Sequence, residues 1–296
     1  MSTGDKHLYR VEQAPGSPLL ARMYPAAAKQ DVQDHAAMLQ YLELRGYPAP
    51  RVMSATGGMA VVAHGDSYVL LTGYVEGDAL AYTPGDLRLL GEALGRLHAL
   101  CPVGCARPSL LVAGMLPANE LAWATGRLTA VEPHVPRALR AEYDRILEAL
   151  RGIHDCEDLP RVIIHNDCHP GNAIRTADGK VVLIDWEGAG WGPAVLDIGF
   201  LLISCDTESP WTPRLEADPA RVAAVVDGYC RHHLPARAEL DRLVDAMRFR
   251  TTVYGAISFA ESVTRPGEID HEWWCARYHA SDDLAARARM QFEWHL

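Results

Sequence analysis

The sequence predicts an α+β protein built from a small strand-rich lobe and a larger helical lobe. Before about residue 75, short apolar runs alternate with glycine-rich turn signals, which is typical of a sheet of short strands. From Gly85 onward, apolar residues recur at helical spacing instead. We therefore expect residues 1–75 to form one lobe, with a hinge at about 71–76, and residues 77–296 to form the other.

One helix is expected in the small lobe and several in the large one. Residues 31–45 carry apolar side chains on one helical face, namely Val32, Ala36, Leu39 and Leu42. The run that begins at Gly85 repeats the same spacing with Leu87, Leu90, Leu94 and Leu97. Further helices are expected at residues 137–151, 194–205, 219–233, 237–262 and 273–292.

A β-hairpin is predicted in the middle of the chain, directly after a buried strand. Residues 161–165 form an apolar run that ends in polar residues, and the Pro-Gly at 170–171 then signals a turn. Two short strands follow at 172–175 and 181–184, joined by an Asp-Gly turn that accepts positive φ easily. The hairpin brings Asp185, at the end of its second strand, beside the loop that precedes its first.

The polar residues of this segment have the spacing of a phosphoryl-transfer site. His165-x-Asp167-x4-Asn172 is followed by the strand that ends in Asp185. In such sites an Asp accepts the substrate proton, while an Asn five residues later and a further Asp hold a metal ion. A zinc hydrolase is the alternative, because His165, Asp167 and His169 alternate like ligands on a strand. Against it, the Pro-Gly turn ends the strand at once, and the sequence has no second cluster with ligand spacing.

Composition restricts the class of protein and its partners. The chain has 296 residues, 49% of them hydrophobic, with no apolar run of membrane-spanning length and a polar N-terminus unlike a signal peptide. Its seven cysteines, an odd number without paired metal spacing, favour a reduced cytoplasmic protein. A net charge of −10 disfavours nucleic acid as a partner and favours a small cationic one.

Two motifs resemble the aminoglycoside phosphotransferase and choline kinase family, and the resemblance extends through nearly the whole chain. HNDCHPGN at 165–172 is similar to the catalytic loop of that family, and LIDWEGAGWGPAVLDIGFL at 183–201 to its metal-binding segment. The resemblance implies a two-lobed, protein-kinase-like fold. It implies that Asp167 is the catalytic base, assisted by Asn172, and that Asn172 and Asp185 hold Mg²⁺. His165 and Asp197 would brace the loop, and Trp186 would replace the Phe of the protein-kinase DFG motif.

The resemblance also covers the small lobe. It places Gly4 in the loop over the phosphates of ATP or GTP, Arg22 on the strand whose cation pairs with those phosphates, and Thr72 and Tyr74 at the hinge that holds the base. The chain begins later than family members do, so we expect either a small lobe trimmed at its N-terminal edge or a start codon that has been placed too late. The Glu usual on the helix is missing; Asp31, Asp34 and His35 are the candidates to replace it.

Acidic and aromatic residues of the helical lobe are the candidates for binding the acceptor. The acidic ones are Glu187, Glu261, Asp270 and Glu272. Four tryptophans, of which Trp273 is the preferred candidate, could stack on a ring or sugar face; the others are Trp191, Trp211 and Trp274.

The sequence thus predicts a cytoplasmic O-phosphotransferase, a monomer or homodimer with no membrane or nucleic-acid partner. It would move the γ-phosphoryl of ATP or GTP to a hydroxyl of a small cationic antibiotic, such as an aminoglycoside or a basic cyclic peptide, and so confer resistance. The alternatives are a metabolic kinase of the choline, homoserine or sugar type and a nucleotide-binding pseudokinase. The trimmed N-terminus and the missing Glu fit a pseudokinase, whereas the intact Asp167, Asn172 and Asp185 argue against it.

Overall fold

The computed structural model of the protein describes most of the chain. The described residues are 7–55, 57–101, 117–205, 207–209, 212–213, 218–267 and 272–296. Within them, no helix is both long enough and apolar enough to cross a membrane.

The small lobe is a four-stranded antiparallel sheet with one helix packed against it. The strands are β1 (His7–Val11), β2 (Leu19–Pro25), β3 (Val61–His64) and β4 (Ser67–Gly73), in the order β1-β2-β4-β3. Helix α1 (Lys29–Leu44) buries Val32, Leu39 and Leu42 against the lobe. Because β2 lies inside the sheet, its alternate side chains are held on a fixed face, and this places Arg22.

The second lobe is helical and carries short strand pairs at the boundary with the first. The helices are α2 (Pro84–His98), α3 (Pro117–Ala130), α4 (Arg140–Gly152), α5 (Ala194–Cys205), α6 (Pro219–Cys230), α7 (Arg237–Asp241), α8 (Leu243–Thr264) and α9 (Glu272–Glu293). The strands are β5 (Asp78–Ala79), β6 (Arg161–Ile164), β7 (Ala173–Arg175), β8 (Val181–Leu183), β9 (Gly190–Pro193), β10 (Thr207–Ser209) and β11 (Thr212–Pro213). Strands β5, β7 and β8 form one antiparallel sheet, β6 pairs with β9, and β10 with β11.

Helices α2 and α6 cross at very short range. A Cβ at Gly91 would overlap the carbonyl oxygen of Val225, and one at Gly228 would overlap that of Arg88. The glycines therefore allow backbone to meet backbone at this crossing. The contact holds His98, at the end of α2, within hydrogen-bonding distance of Tyr229 on α6.

The predicted α+β class, with a small sheet lobe and a helical lobe, is confirmed. Two details were wrong at the level of elements. Helix α3 was not predicted, and the single helix expected at 237–262 is divided into α7 and α8. At the division Arg242 adopts φ −101° and ψ 5°, which interrupts the helical hydrogen bonds without a proline or glycine to signal it in the sequence.

Candidate active site

The loop that follows β6 is anchored by the side chain of His165, which is fully buried. Its Nε2 lies 3.0 Å from the carbonyl oxygen of Ile184, and its Nδ1 accepts the N–H of Asp167 at 3.3 Å. Since a carbonyl oxygen only accepts, Nε2 carries the proton and the ring is neutral. Burial lowers the pKa of His165 and supports the same state. The imidazole thus joins the loop to the end of β8.

A second anchor comes from Asp197 on α5. Its two carboxylate oxygens accept the backbone N–H groups of His165 at 2.6 Å and Asn166 at 2.7 Å. His98 adds a contact of 3.2 Å from Nε2. Burial alone would raise the pKa of Asp197, but the hydrogen bonds from the His98 side chain and from the His165 backbone hold it below its usual value. Asp197 is therefore an ionised, buried acceptor that fixes the loop backbone.

Asp167 and Asn172 are brought together by the loop between them. The Asn172 Nδ2 donates to Asp167 at 2.8 Å from Oδ2 and 3.0 Å from the backbone oxygen. The carboxylate of Asp167 keeps 38% of its surface exposed, so a ligand can reach it. The N–H of Ile184 donates to the Asn172 carbonyl at 2.9 Å, which sets the next residue, Asp185, beside the pair.

Arg22 enters this site from the small lobe. Its Nη1 lies 3.2 Å from Asp185 and 3.2 Å from Glu187, and the residue is only 9% exposed.

Three residues of α1 were candidates to replace the missing helix Glu, and the structure connects one of them with Glu187 through Tyr24. The Tyr24 hydroxyl lies 2.8 Å from His35 Nδ1 and donates to Glu187 at 2.9 Å. His35, rather than Asp31 or Asp34, makes this connection.

A buried ionic cluster behind the loop was missed by the sequence reasoning. Asn166 is held at φ 72°, and its side chain contacts both Glu120 on α3 and Arg250 on α8, which also pair with each other. Each of the three is at most 4% exposed. Burial raises the pKa of Glu120, and the Arg250 guanidinium opposes that rise. The one available signal was an Arg inside an apolar helical stretch, since charged residues are rarely buried without a partner.

The two residues expected at the hinge lie at the end of β4 and directly after it. Thr72 is 2% exposed inside the sheet, and the Tyr74 N–H donates to the Pro18 carbonyl at 3.0 Å. The Gly73 N–H likewise donates to the backbone carbonyl of Arg51 at 2.8 Å. These N–H groups are used within the small lobe, so a nucleotide base would have to use other groups of the hinge. Gly4, expected in the phosphate loop, lies outside the described residues.

The acceptor candidates are dispersed. Glu187 faces Arg22 and Tyr24, and the carboxylate of Glu261 is paired with Arg127 and Arg265. Asp270 lies outside the described residues, and so do the side chains of Glu272 and Trp273 at the start of α9. Of the acceptor candidates, the structure thus describes the carboxylates of Glu187 and Glu261, and both already interact with arginines.

An aromatic row runs away from the catalytic loop. Its rings are His169, Phe200, Tyr254 and Trp274, with neighbouring centroids 6.5, 6.0 and 5.0 Å apart. His169 Nε2 lies 3.9 Å from Asp167 Oδ1 at one end. At the other end, Trp274 lines a cavity of about 420 Å³ between α4, α8 and α9. The row thus connects the catalytic loop with this cavity.

The donor atoms of the loop fit a magnesium ion better than zinc. The Asn172 amide nitrogen is used on Asp167, which leaves its side-chain oxygen, and Asp185 supplies a carboxylate that is 48% exposed. Mg²⁺ prefers such oxygen ligands and binds through one or two carboxylates together with phosphate oxygens. The described residues include no group of three or more His, Cys, Asp or Glu that could hold a metal. The zinc alternative fails in addition because His165 is buried with both ring nitrogens engaged.

A relative from Deinococcus radiodurans, an uncharacterized protein, is similar to part of the chain. The two are 30% identical over 167 residues, which is 55% of this chain and 48% of the relative. The match thus spans about half the length of that protein.

Solved structures of low sequence identity share the fold. One is the amicoumacin kinase hAmiN in complex with AMP-PNP, Ca²⁺ and Ami, with a TM-score of 0.70 and 15% identity over 95% of this chain and 87% of that one. Another is the choline kinase LicA from Streptococcus pneumoniae, with a TM-score of 0.62 and 14% identity over 94% and 89%. At these identities the likeness shows the architecture alone.

The family itself is shown by a sequence model. The model of the phosphotransferase enzyme family matches residues 4–243, which is well over half of the chain and includes the small lobe, the helical lobe as far as α7 and the whole catalytic segment. The expected resemblance is confirmed, and so is the expectation of an enzyme that transfers phosphate. This chain belongs to the phosphotransferase enzyme family.

Proposed function

We propose that the protein is a small-molecule kinase that moves the γ-phosphoryl group of ATP or GTP to a hydroxyl of a small cationic acceptor, an antibiotic to which it confers resistance. The Asp167–Asn172 pair carries the proposal, because it stands exposed beside Asp185 and opposite the cation of the small lobe. The division into a nucleotide lobe at 1–75 and an acceptor lobe at 77–296 is part of the proposal.

Asp167 acts as the base in this scheme. Asn172 donates to its Oδ2, which leaves Oδ1 to accept the proton of the acceptor hydroxyl. His165 and Asp197 keep the loop backbone fixed while the proton moves, since each holds part of it by a hydrogen bond. A site held in this way needs little reorganisation during the reaction.

Arg22, Asn172 and Asp185 serve the nucleotide. The guanidinium of Arg22 can meet phosphate oxygens with its planar fork of N–H donors. The side-chain oxygen of Asn172 and the carboxylate of Asp185 would hold Mg²⁺, and the ion would supply positive charge against the phosphates during transfer. Asp185 also contacts Arg22 at 3.2 Å, so this carboxylate would serve both the cation of the small lobe and the ion.

The aromatic row supports a cationic acceptor. The rings of Tyr254 and Trp274 are stacked and nearly parallel, at 19°, and Trp274 borders a cavity whose lining also has Tyr278, two carboxylates (Glu142 and Glu148) and one cation, Arg145. Aromatic faces and carboxylates together attract ammonium groups. The net charge of −10 acts in the same direction at longer range.

The stacked rings of Tyr254 and Trp274 also favour a second candidate, a metabolic kinase for an amino alcohol of the choline type. A stacked Tyr–Trp pair suits a quaternary ammonium group as well as an amino sugar. Both kinds of kinase occur among the proteins that share this fold. A cytoplasmic location, consistent with the free thiols of Cys101, Cys156, Cys168 and Cys230, suits either candidate.

An acceptor screen distinguishes the candidates. The purified protein is given Mg-ATP or Mg-GTP with single aminoglycosides, basic cyclic peptides, choline and ethanolamine, and release of the nucleoside diphosphate is measured. The gene is also expressed in a sensitive bacterium that is challenged with the same antibiotics. Turnover with an antibiotic together with protection supports the resistance kinase, and turnover with amino alcohols alone supports the metabolic one. Nucleotide binding without turnover on any acceptor would favour the pseudokinase.

A further inference from the structure

The guanidinium of Arg22 is nearly buried and therefore needs a negative partner nearby. Helix α1 supplies none of the contacts to it. The Asp34 side chain accepts a hydrogen bond from Gln30, Glu43 pairs with Arg51 at 2.8 Å, and Asp31 is exposed. The contacts come instead from the segment after β8, where Asp185 and Glu187 each approach Nη1.

Glu187 is the better placed of these two carboxylates to be a permanent partner. Its side chain is 13% exposed, against 48% for Asp185. A carboxylate in a less hydrated place interacts more strongly with a neighbouring cation. Asp185 would also hold the metal in the proposed mechanism, so its charge would be shared between the ion and Arg22. Glu187 has no such competing task in the proposed mechanism.

The protons between α1 and Glu187 can be assigned. An ionised carboxylate only accepts, so the hydroxyl proton of Tyr24 is directed to Glu187. The hydroxyl oxygen then accepts from His35, whose Nδ1 must carry a proton. Burial raises the pKa of Tyr24 to about 12, which keeps this hydroxyl protonated. A continuous chain of hydrogen bonds therefore leads from α1 through Tyr24 to the carboxylate that contacts Arg22.

We infer that Glu187 is the positioning residue of Arg22 and takes the place of the missing helix carboxylate, with His35 and Tyr24 orienting it from α1. Glu187 contacts one nitrogen of the guanidinium, Nη1, and the fork of five N–H donors of an arginine gives it further groups with which to meet the nucleotide phosphates. This inference rests on the proposed function, because Arg22 has to be a nucleotide-binding residue for its position to matter.

Binding of Mg²⁺-AMP-PNP, measured by isothermal titration calorimetry, tests the inference without knowledge of the acceptor. Glu187→Gln keeps the shape of the side chain and removes its charge, and we expect it to raise the Kd roughly tenfold, which corresponds to about 1.4 kcal/mol. Tyr24→Phe removes only the orienting hydroxyl and should raise the Kd about threefold. Glu43→Gln, on the outer part of α1, is the matched control and should bind as the wild type does.

A double-mutant cycle separates positioning from a general structural effect. In an Arg22→Met background, Glu187→Gln should change the Kd by less than about twofold, because the residue it acts through is gone. Thermal unfolding shows whether each variant is folded. If the Glu187→Gln variant is unfolded, the Kd of the Tyr24→Phe variant is used to test the inference instead.

Three outcomes would overturn the inference. The first is an unchanged Kd in folded Glu187→Gln, or in folded Tyr24→Phe if that variant carries the test. The second is an equal loss of affinity with and without Arg22. The third is a wild-type protein that does not bind the nucleotide at all, and this one would overturn the proposed function as well.

Discussion

Asn166 and Asp185 both adopt left-handed backbone conformations, with φ of 72° and 64°, at the two ends of the site. Asn and Asp tolerate this region better than other side chains, and such conformations cluster at functional sites. Glycine would suit position 166 by backbone alone, but it would lose the side-chain contacts to Glu120 and Arg250. The asparagine therefore combines the required turn with an attachment to the buried ion pair.

Removing one member of this pair should be more damaging than removing both. Arg250→Met leaves the buried carboxylate of Glu120 without its cation and should cost about 3–5 kcal/mol of unfolding free energy. The double variant Glu120→Leu/Arg250→Met removes both charges and should be more stable than the single one. Urea unfolding of the two variants measures the difference. A double variant less stable than Arg250→Met would contradict this account of the cluster.

At the scale of elements, the site depends on short contacts that fix helices and strands relative to one another. Gly228 lets α6 meet α2, and this crossing places His98 against Asp197, which in turn holds the loop after β6. A change in the helix crossing should therefore affect stability first and the loop second. Glycine has a low helix propensity, but the glycines of α2 and α6 are needed for the close packing of the two helices.

Alanine at two helical glycines should have opposite effects. Gly228→Ala puts a methyl group against the Arg88 carbonyl and should destabilise the protein by about 1–3 kcal/mol. Gly126→Ala, at an exposed position of α3 with no atom near the new Cβ, should stabilise it by about 0.4–1 kcal/mol. Thermal unfolding compares the two proteins with the wild type. Similar unfolding temperatures for both variants would argue against the close α2–α6 crossing.

The elements that the sequence predicted well are those with strong local signals. The hairpin of β7 and β8 has an Asp-Gly turn and two apolar runs, and it was predicted within a residue or so at each end. Helix α3 was missed although it carries Glu120, and nothing in its sequence reveals that this carboxylate meets an Arg 130 residues later. Pairings of this kind depend on tertiary packing, which periodicity does not encode.

At the scale of the whole molecule, the two lobes meet through charged and hydrogen-bonded side chains. Arg22 and Tyr24 of the small lobe contact Asp185 and Glu187 of the catalytic segment. The sequence predicted that a cation on β2 would face the site, but it did not predict the carboxylate that holds it. Glu187 is predicted to bind the acceptor, and its contacts with Arg22 and Tyr24 are the basis for the inferred positioning of Arg22.

Buried histidines of the helical lobe should make stability depend on pH. Burial, with a contribution from His98, lowers the pKa of His233 to about 4, from an ordinary value of 6.5. The folded protein thus favours the neutral imidazole of His233. The contribution of this imidazole to the free energy of unfolding is complete above about pH 6.5 and is lost as the pH falls toward 4. We expect His233→Phe to lose less unfolding free energy than the wild type over this range, as measured by urea unfolding at several pH values. Parallel pH curves for the two proteins would contradict the prediction.

The central claim is that Asp167 accepts the proton of an acceptor hydroxyl during phosphoryl transfer, and ³¹P NMR of turnover tests it most directly. With Mg-ATP and an acceptor identified by the screen, the wild type should produce a phosphomonoester resonance together with ADP. Asp167→Asn, which keeps the contact with Asn172, should form the product about 10²–10⁴-fold more slowly. Near-normal product formation by Asp167→Asn, with the wild type active, would contradict the account.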